Sequence, residues 1–186
     1  MKTVYLSSFC VDFRRYETLE YFARTCAEVL AYNGITSYIF DGPRPTPELS
    51  FALREYGCVA GINVTASHNP KEYNGYKVYW SDGAQIGADE AKAISESISK
   101  CDIFEIGRTP FDDGVKNGLI TVIGSELDEK YIENVLGERV NPSAITDQSD
   151  MTVVYTPLHG AGYKIVPEVL RRAGIKNVIT VPEQGT

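Results

Sequence analysis

Apolar and polar residues alternate along this chain in two periods, and the switch between them marks out the elements. From Tyr16 to Asn33, apolar residues fall at Leu19, Phe22, Ala23, Cys26 and Leu30, the spacing of one helical face, and Gly34 supplies a C-terminal stop. Ile35 to Phe40 has strand length. Thr46-Pro47-Glu48 predicts a second helix with a capping Thr, a first-turn Pro and an acid near the positive end. Leu49, Ala52 and Leu53 line it, and Gly57 ends it. Cys58 to Val64 is a nearly continuous apolar run, as expected of a strand covered on both faces. Tyr76 to Trp80 predicts another strand, leading through the turn Ser81-Asp82-Gly83 to Ala84-Gln85-Ile86.

Beyond this, Ala88 to Lys100 reads as a helix with Ala91, Ile94 and Ile98 inward, and 102–118 reads as irregular. Leu119 to Ile123 is a strand, and Ser125-x-x-Asp128 has the form of a capping box opening a helix to about Leu136. The polar, aperiodic stretch Asn141 to Asp150 is placed as a linker. Thr152 to Tyr155, Lys164 to Ala173 and Ile175 to Val181 then form one strand–helix–strand unit, with Gly174 stopping the helix. The pattern predicts an α/β protein: a domain over residues 1–148 and the beginning of a second over 149–186. One such unit cannot bury both faces of a sheet, so the chain is expected to be a piece of a longer protein.

Composition narrows the function classes. The 186 residues are 43% hydrophobic and 23% charged, which is ordinary for a globular protein. The net charge of −7 argues against a nucleic-acid partner, whose affinity depends on phosphate neutralisation. No apolar run approaches the roughly 20 residues of a membrane span, and Met1 to Ser8 does not read as a signal peptide. Cys10, Cys26, Cys58 and Cys101 are too far apart for a Cys-x-x-Cys pair. They read as reduced thiols of a cytoplasmic protein.

The candidate chemistry lies in Thr65-Ala66-Ser67-His68-Asn69-Pro70 and Asn74-Gly75-Tyr76-Lys77, between two predicted strands. Strand ends are where α/β proteins place ligands. Ser67 offers a nucleophile or phosphate carrier, His68 a titratable group and Lys77 a cation. By composition alone the stretch is a polar turn, and a serine hydrolase is disfavoured because no Gly-x-Ser-x-Gly elbow is present. Gly160-x-Gly162 lacks the third glycine of a dinucleotide loop. Trp80 and the tyrosines at 73, 76 and 79 read as strand packing.

The string from Thr65 to Lys77 resembles the active-site loop of the α-D-phosphohexomutase superfamily. Further along the chain, Asp12-x-Arg14, Pro45-Thr46-Pro47-Glu48-Leu49 and Tyr155-Thr156-Pro157-Leu158-His159-Gly160-x-Gly162 resemble other pieces of that family in order and spacing. Phe13 departs from the small hydroxyl residue usual between Asp12 and Arg14. Three further pieces of the family have no counterpart here: the Asp-x-Asp-x-Asp-Arg metal loop, the sugar-recognition loop and the distal phosphate loop. The resemblance implies a three-layer α/β/α domain around a mixed sheet, followed by a second of similar plan. It implies that Ser67 carries a phosphoryl group, with Mg²⁺ bound through the Ser67 phosphate and carboxylates from elsewhere. His68 and Lys77 would be catalytic, Lys77 stabilising charge and, with a depressed pKa, moving a proton. Thr65, Asn69, Arg14 and His159 would contact substrate or phosphate. The reaction implied is interconversion of hexose 1- and 6-phosphates through glucose 1,6-bisphosphate, with the remaining domains of the enzyme as partners. The stretch Glu72 to Ile86 looks most like the glucose and pentose branch of the superfamily, with mannose as an alternative sugar and a non-catalytic domain as the alternative class. On this reading the 186-residue chain alone is inactive.

Overall fold

The structure, a computed structural model, describes residues 3–9, 16–65 and 75–185. A five-stranded sheet forms from β1 (Thr3–Phe9), β2 (Thr36–Phe40), β3 (Ala60–Thr65), β4 (Gly75–Trp80) and β5 (Ile120–Ile123), in the order β4-β3-β1-β2-β5. Strands β1, β2, β3 and β5 run parallel, and β4 pairs antiparallel with β3. The sheet is therefore mixed.

Helices cover both faces. On one side α1 (Tyr16–Tyr32) and α4 (Phe111–Lys116) pack Ala23, Ala27, Ala31 and Phe111 against Ile39, Ile62, Val64 and Ile120. On the other, α2 (Thr46–Glu55) and α5 (Ser125–Gly137) pack Leu49, Ala52, Leu53 and Leu127 against Phe40 and Tyr79. This is the three-layer α/β/α plan. A second, two-stranded parallel sheet pairs β6 (Thr152–Tyr155) with β7 (Asn177–Thr180) across α7 (Ile165–Ala173), and α7 packs against α5. Val154 and Ile179 are exposed on it. Among the described residues, no helix is long and apolar enough to cross a membrane.

Several local expectations change in the folded chain. The buried ridge of α1 is Ala23, Ala27 and Ala31, while Phe22 is exposed. Small residues let the helix axis approach the sheet, which turns the bulky positions aside. Helix α3 (Ala88–Ile98) buries none of its residues, and Ile98 faces water rather than inward. The stretch 102–118, expected to be irregular, contains α4. Phe111 anchors α4 on α1, where the Arg24 guanidinium lies 4.4 Å from the ring centroid and Glu28 accepts from the Phe111 N–H. The expected linker contains the short helix α6 (Pro142–Asp147), capped by Asn141.

Neither expected hydroxyl cap forms. Pro45 and Gly124 occupy the cap positions of α2 and α5, and Thr46 and Asp128 turn to distant partners instead. Of the aromatic residues on β4, only Tyr79 packs in the core; Tyr76 and Trp80 are exposed. Tyr73 lies outside the described residues. Glycines 34, 57 and 174, the expected helix stops, all have positive φ. Cys26 and Cys58 behave as small hydrophobes, burial pushing each thiol up to about 11, whereas Cys101 is exposed.

Candidate active site

Because β1, β2, β3 and β5 are parallel, Phe9, Phe40, Thr65 and Ile123 all end at one edge of the sheet, and β4 begins there at Gly75. Residues 66–74 connect Thr65 to Gly75, which face each other in register. Phe9, the last residue of β1, pairs with Thr65. Ser67, His68, Asn69 and Arg14 lie outside the described residues. The edge of an open sheet where parallel strands end is the usual ligand crevice. Gly75 is required by close approach: a Cβ there would stand 2.7 Å from the Thr65 carbonyl oxygen.

Alternation along the strands assigns the side chains to faces. Ile62 and Val64 face α1, so Asn63 and Thr65 face α2. Lys77 is the cross-strand partner of Asn63 and shares that face, as does Tyr79, which packs with α2. The structure thus brings Thr65 and Lys77 together on one side of the hairpin. Thr65 is buried (3% exposed) and Lys77 half-buried. The opposite side of the hairpin is an apolar cleft of about 290 Å³, with walls from Phe22, Cys26, Val64 and Tyr76. His159 is on the other sheet, exposed in the turn after β6, where Leu158 and His159 both take positive φ. Its backbone N–H donates to the Gln184 carbonyl.

Two groups of polar residues at this edge escape a reading of the sequence. The first is Asn63, 1% exposed, whose Nδ2 donates to Thr46 Oγ1 over 3.0 Å. The second is Arg44, 1% exposed, in the segment joining β2 to α2. Its guanidinium grips Asp128 of α5 through Nε (2.6 Å) and Nη2 (2.9 Å), donates to Asp41 (2.9 Å) and to its neighbour Pro43's carbonyl, and lies 4.0 Å from Glu48.

Glu48 is wholly buried, and neither carboxyl oxygen accepts a hydrogen bond among the described residues. Burial pushes its pKa up to about 8, reinforced by a hydrogen bond to Asp128 and by the Asp128 charge, against the pull of Arg44. Burial thus favours the neutral form of the Glu48 carboxyl. Asp128 is desolvated too, but its hydrogen bonds from Arg44 and Glu48 outweigh this and hold its pKa below the usual range. The next residue, Glu129, is gripped by both Nη atoms of Arg172 on α7, the Nη2 contact being 2.8 Å. Helix α5 is therefore held from both sides.

These carboxylates are committed to arginine, and among the described residues no group of three or more His, Cys, Asp or Glu could hold a metal ion. The described residues do not by themselves fit Mg²⁺.

An α/β/α domain with a strand–loop–strand site at the parallel strand ends defines the class, and comparison with known proteins gives the family. Residues 11–103 match the family model for phosphoglucomutase/phosphomannomutase alpha/beta/alpha domain I, and residues 129–186 match that for domain II. The chain belongs to the phosphoglucomutase/phosphomannomutase family. It is 38% identical over 164 residues to a phosphoglucomutase of Staphylococcus haemolyticus, covering 88% of this chain and 29% of the relative. It is 42% identical over 153 residues to a phosphoglucomutase of Staphylococcus aureus, covering 81% of this chain and 26% of that one. A solved structure from Thermus thermophilus, assigned as a phosphomannomutase, superposes with a TM-score of 0.72 at 27% identity, over 99% of this chain and 38% of that one. The open form of Paramecium parafusin, at 14% identity and a TM-score of 0.70, shares the fold over 99% of this chain and 37% of that one. The chain spans between a quarter and a third of the length of the two curated relatives.

Proposed function

We propose that this chain is the serine-bearing part of a phosphoglucomutase, with Ser67 as the phosphoryl carrier for interconversion of glucose 1-phosphate and glucose 6-phosphate through glucose 1,6-bisphosphate. The observation that carries this reading is the family match across 11–103, which spans the whole stretch from Thr65 to Lys77. The hairpin geometry supports it, because Thr65 leads into the Ser67 loop and Lys77 returns on the same face. The curated relatives named above favour glucose as the sugar.

In the forward step the Oγ–P bond of phosphorylated Ser67 breaks, and a new O–P bond forms to a free hydroxyl of the hexose monophosphate. The acceptor hydroxyl gives up its proton as that bond forms, and Ser67 Oγ takes one up as it is released. The bisphosphate then turns over and returns its other phosphoryl group to Ser67. Such transfers depend on positioning and on stabilising charge at the donor and acceptor oxygens. Lys77 supplies a cation at that point. His68, Asn69 and Thr65 orient the phosphoryl group and the hydroxyl, while Arg14 and His159 contact the substrate side. Mg²⁺ belongs to this proposal, but the described carboxylates do not form its site, and no step is derived through it. For the same reason the 186-residue chain alone should not turn over, and activity is proposed for the longer protein. The reduced thiols at 26, 58 and 101 suit a cytoplasmic enzyme.

The test is Ser67→Ala in the full-length protein, assayed for conversion of glucose 1-phosphate to glucose 6-phosphate. Turnover should fall by orders of magnitude, and intact mass should show loss of one phosphate. Near-normal turnover removes Ser67 from the reaction.

A further inference from the structure

We infer that Thr156 and Gln184 are positioning residues, which hold a strained turn so that it presents His159 at the ligand edge of the second sheet; the inference rests on the substrate-side role proposed above for His159. Strands β6 and β7 run parallel and end together at Tyr155 and Thr180, which pair in register. Residues 156–160 and 181–184 therefore leave at one edge, and parallel strands place ligands at that edge. The first segment turns back at once. The Gly160 N–H donates to the Pro157 carbonyl over 2.8 Å, and both central residues, Leu158 (φ 50°) and His159 (φ 60°), are left-handed. Turns with positive φ at both central positions are normally built from Asn, Asp and Gly. Leucine and histidine are strained there, and among the described residues they are the only non-glycine residues with positive φ.

Packing does not account for this strain, because Leu158 is 63% exposed and His159 is exposed as well. Capture of an anion by the backbone does not account for it either, because every N–H of the turn is committed. That of Leu158 donates to Thr156 Oγ1 (3.3 Å), that of His159 to the Gln184 carbonyl (3.1 Å) and that of Gly160 to Pro157. What the left-handed backbone does fix is the direction of two exposed side chains, and of these only the imidazole can hydrogen-bond a sugar phosphate. Strain of this kind persists where the surroundings over-determine the backbone, and here Gln184 does so twice. Its carbonyl accepts from the His159 N–H, and its Oε1 accepts from the Thr156 hydroxyl, which itself accepts from the Leu158 N–H. Gln184 is held in turn by the exit of β7. Its N–H donates to the Val181 carbonyl, and the Val181 N–H donates to the Tyr155 carbonyl over 2.9 Å. The turn that carries His159 is thus tied to both strands of the sheet.

The experiment uses the full-length enzyme with glucose 1-phosphate as substrate. Thr156→Val removes the hydroxyl and keeps the shape, and Gln184→Leu removes the acceptor. Each should raise KM about five- to tenfold and leave kcat within about twofold, the split expected when a group that binds the substrate alike throughout the reaction is misplaced. Amide exchange at Leu158 should accelerate in both. Thr156→Ser keeps the hydroxyl and Gln184→Glu keeps an acceptor oxygen, so both should hold KM within about twofold of wild type, a rescue that a purely structural role would not produce. Should Gln184→Leu fail to fold, the two Thr156 variants decide. His159→Gly separates the levels of the argument. It should raise KM about tenfold or more, with a thermal midpoint unchanged or higher, because glycine takes positive φ without strain. If it raises KM while Thr156→Val and Gln184→Leu stay within about twofold, or while Thr156→Val and Thr156→Ser behave alike, the positioning role is overturned. If His159→Gly leaves KM within about twofold, the substrate-side role of His159 falls, and the positioning role with it.

Discussion

Replacing Glu48 by Gln should make this protein more stable at alkaline pH and hardly change it near pH 5. The Glu48 carboxyl is 0% exposed and faces Asp128, with the Arg44 guanidinium 4.0 Å away and already gripping Asp128 and Asp41. Tyr131 of α5 also senses its charge. Burial is the first cause of its raised pKa and the Asp128 hydrogen bond the second, taking it from 4.5 to about 8. A carboxyl whose pKa is raised on folding binds its proton more tightly in the native state. Its contribution is therefore complete below 4.5 and is lost as the pH climbs toward about 8. At about 1.4 kcal/mol per pH unit, that window amounts to roughly 5 kcal/mol at most.

Asp128 works in the opposite sense. Its lowered pKa stabilises the fold above the ordinary carboxylate range and is lost in acid, so the two effects fall in separate pH windows. Gln keeps a donor toward Asp128 and never ionises. Urea unfolding followed by circular dichroism at half-unit steps from pH 5 to 9 measures the difference. The midpoints of wild type and variant should coincide near pH 5, and the variant should lead by about 1 M or more at pH 9, taking a slope of about 1–3 kcal/mol per molar. Parallel profiles across the range would refute a Glu48 carboxyl whose pKa burial raises.

Arg44→Met strands Asp128 and Asp41 without their cation, and it should cost about 3–5 kcal/mol in the same unfolding measurement at pH 7. A loss below about 1 kcal/mol would show that water, not Arg44, satisfies Asp128. Gly75→Ala drives a Cβ to 2.7 Å from the Thr65 carbonyl oxygen, with backbone on both sides. The pairing at the mouth of the Ser67 loop must open, and amide exchange at Thr65 and Gly75 should accelerate even where global stability falls by only about 1–3 kcal/mol. Unchanged exchange at both amides would mean that the hairpin tolerates a side chain there.

Much of the architecture was legible along the chain. Period 2 and period 3.6 patterns, glycine stops and the Pro-rich start of α2 are local signals, and they located most of the strands and helices to within a few residues, though not the central strand β1 or the short helices α4 and α6. The Thr65–Lys77 stretch stood out through family resemblance rather than through spacing, and it lies within the match to the family's first domain. Local pattern misled wherever burial was decided by a neighbour. Helix α3 has an apolar stripe that no described layer covers, α1 seats Ala23, Ala27 and Ala31 with Cys26 and Leu30 beside them while Phe22 stays exposed, and α4 owes its place to Phe111 and Glu28 contacts with α1. The polar frame of the candidate site belongs wholly to tertiary structure. Arg44 meets Asp128 across 84 positions, and Asn63 meets Thr46 across 17. In sequence Thr46 and Asp128 look like helix caps, because a short polar side chain near a helix start favours its own backbone. In the folded protein a buried guanidinium and a buried carboxamide need partners more, since no water reaches them, and they draw those side chains away.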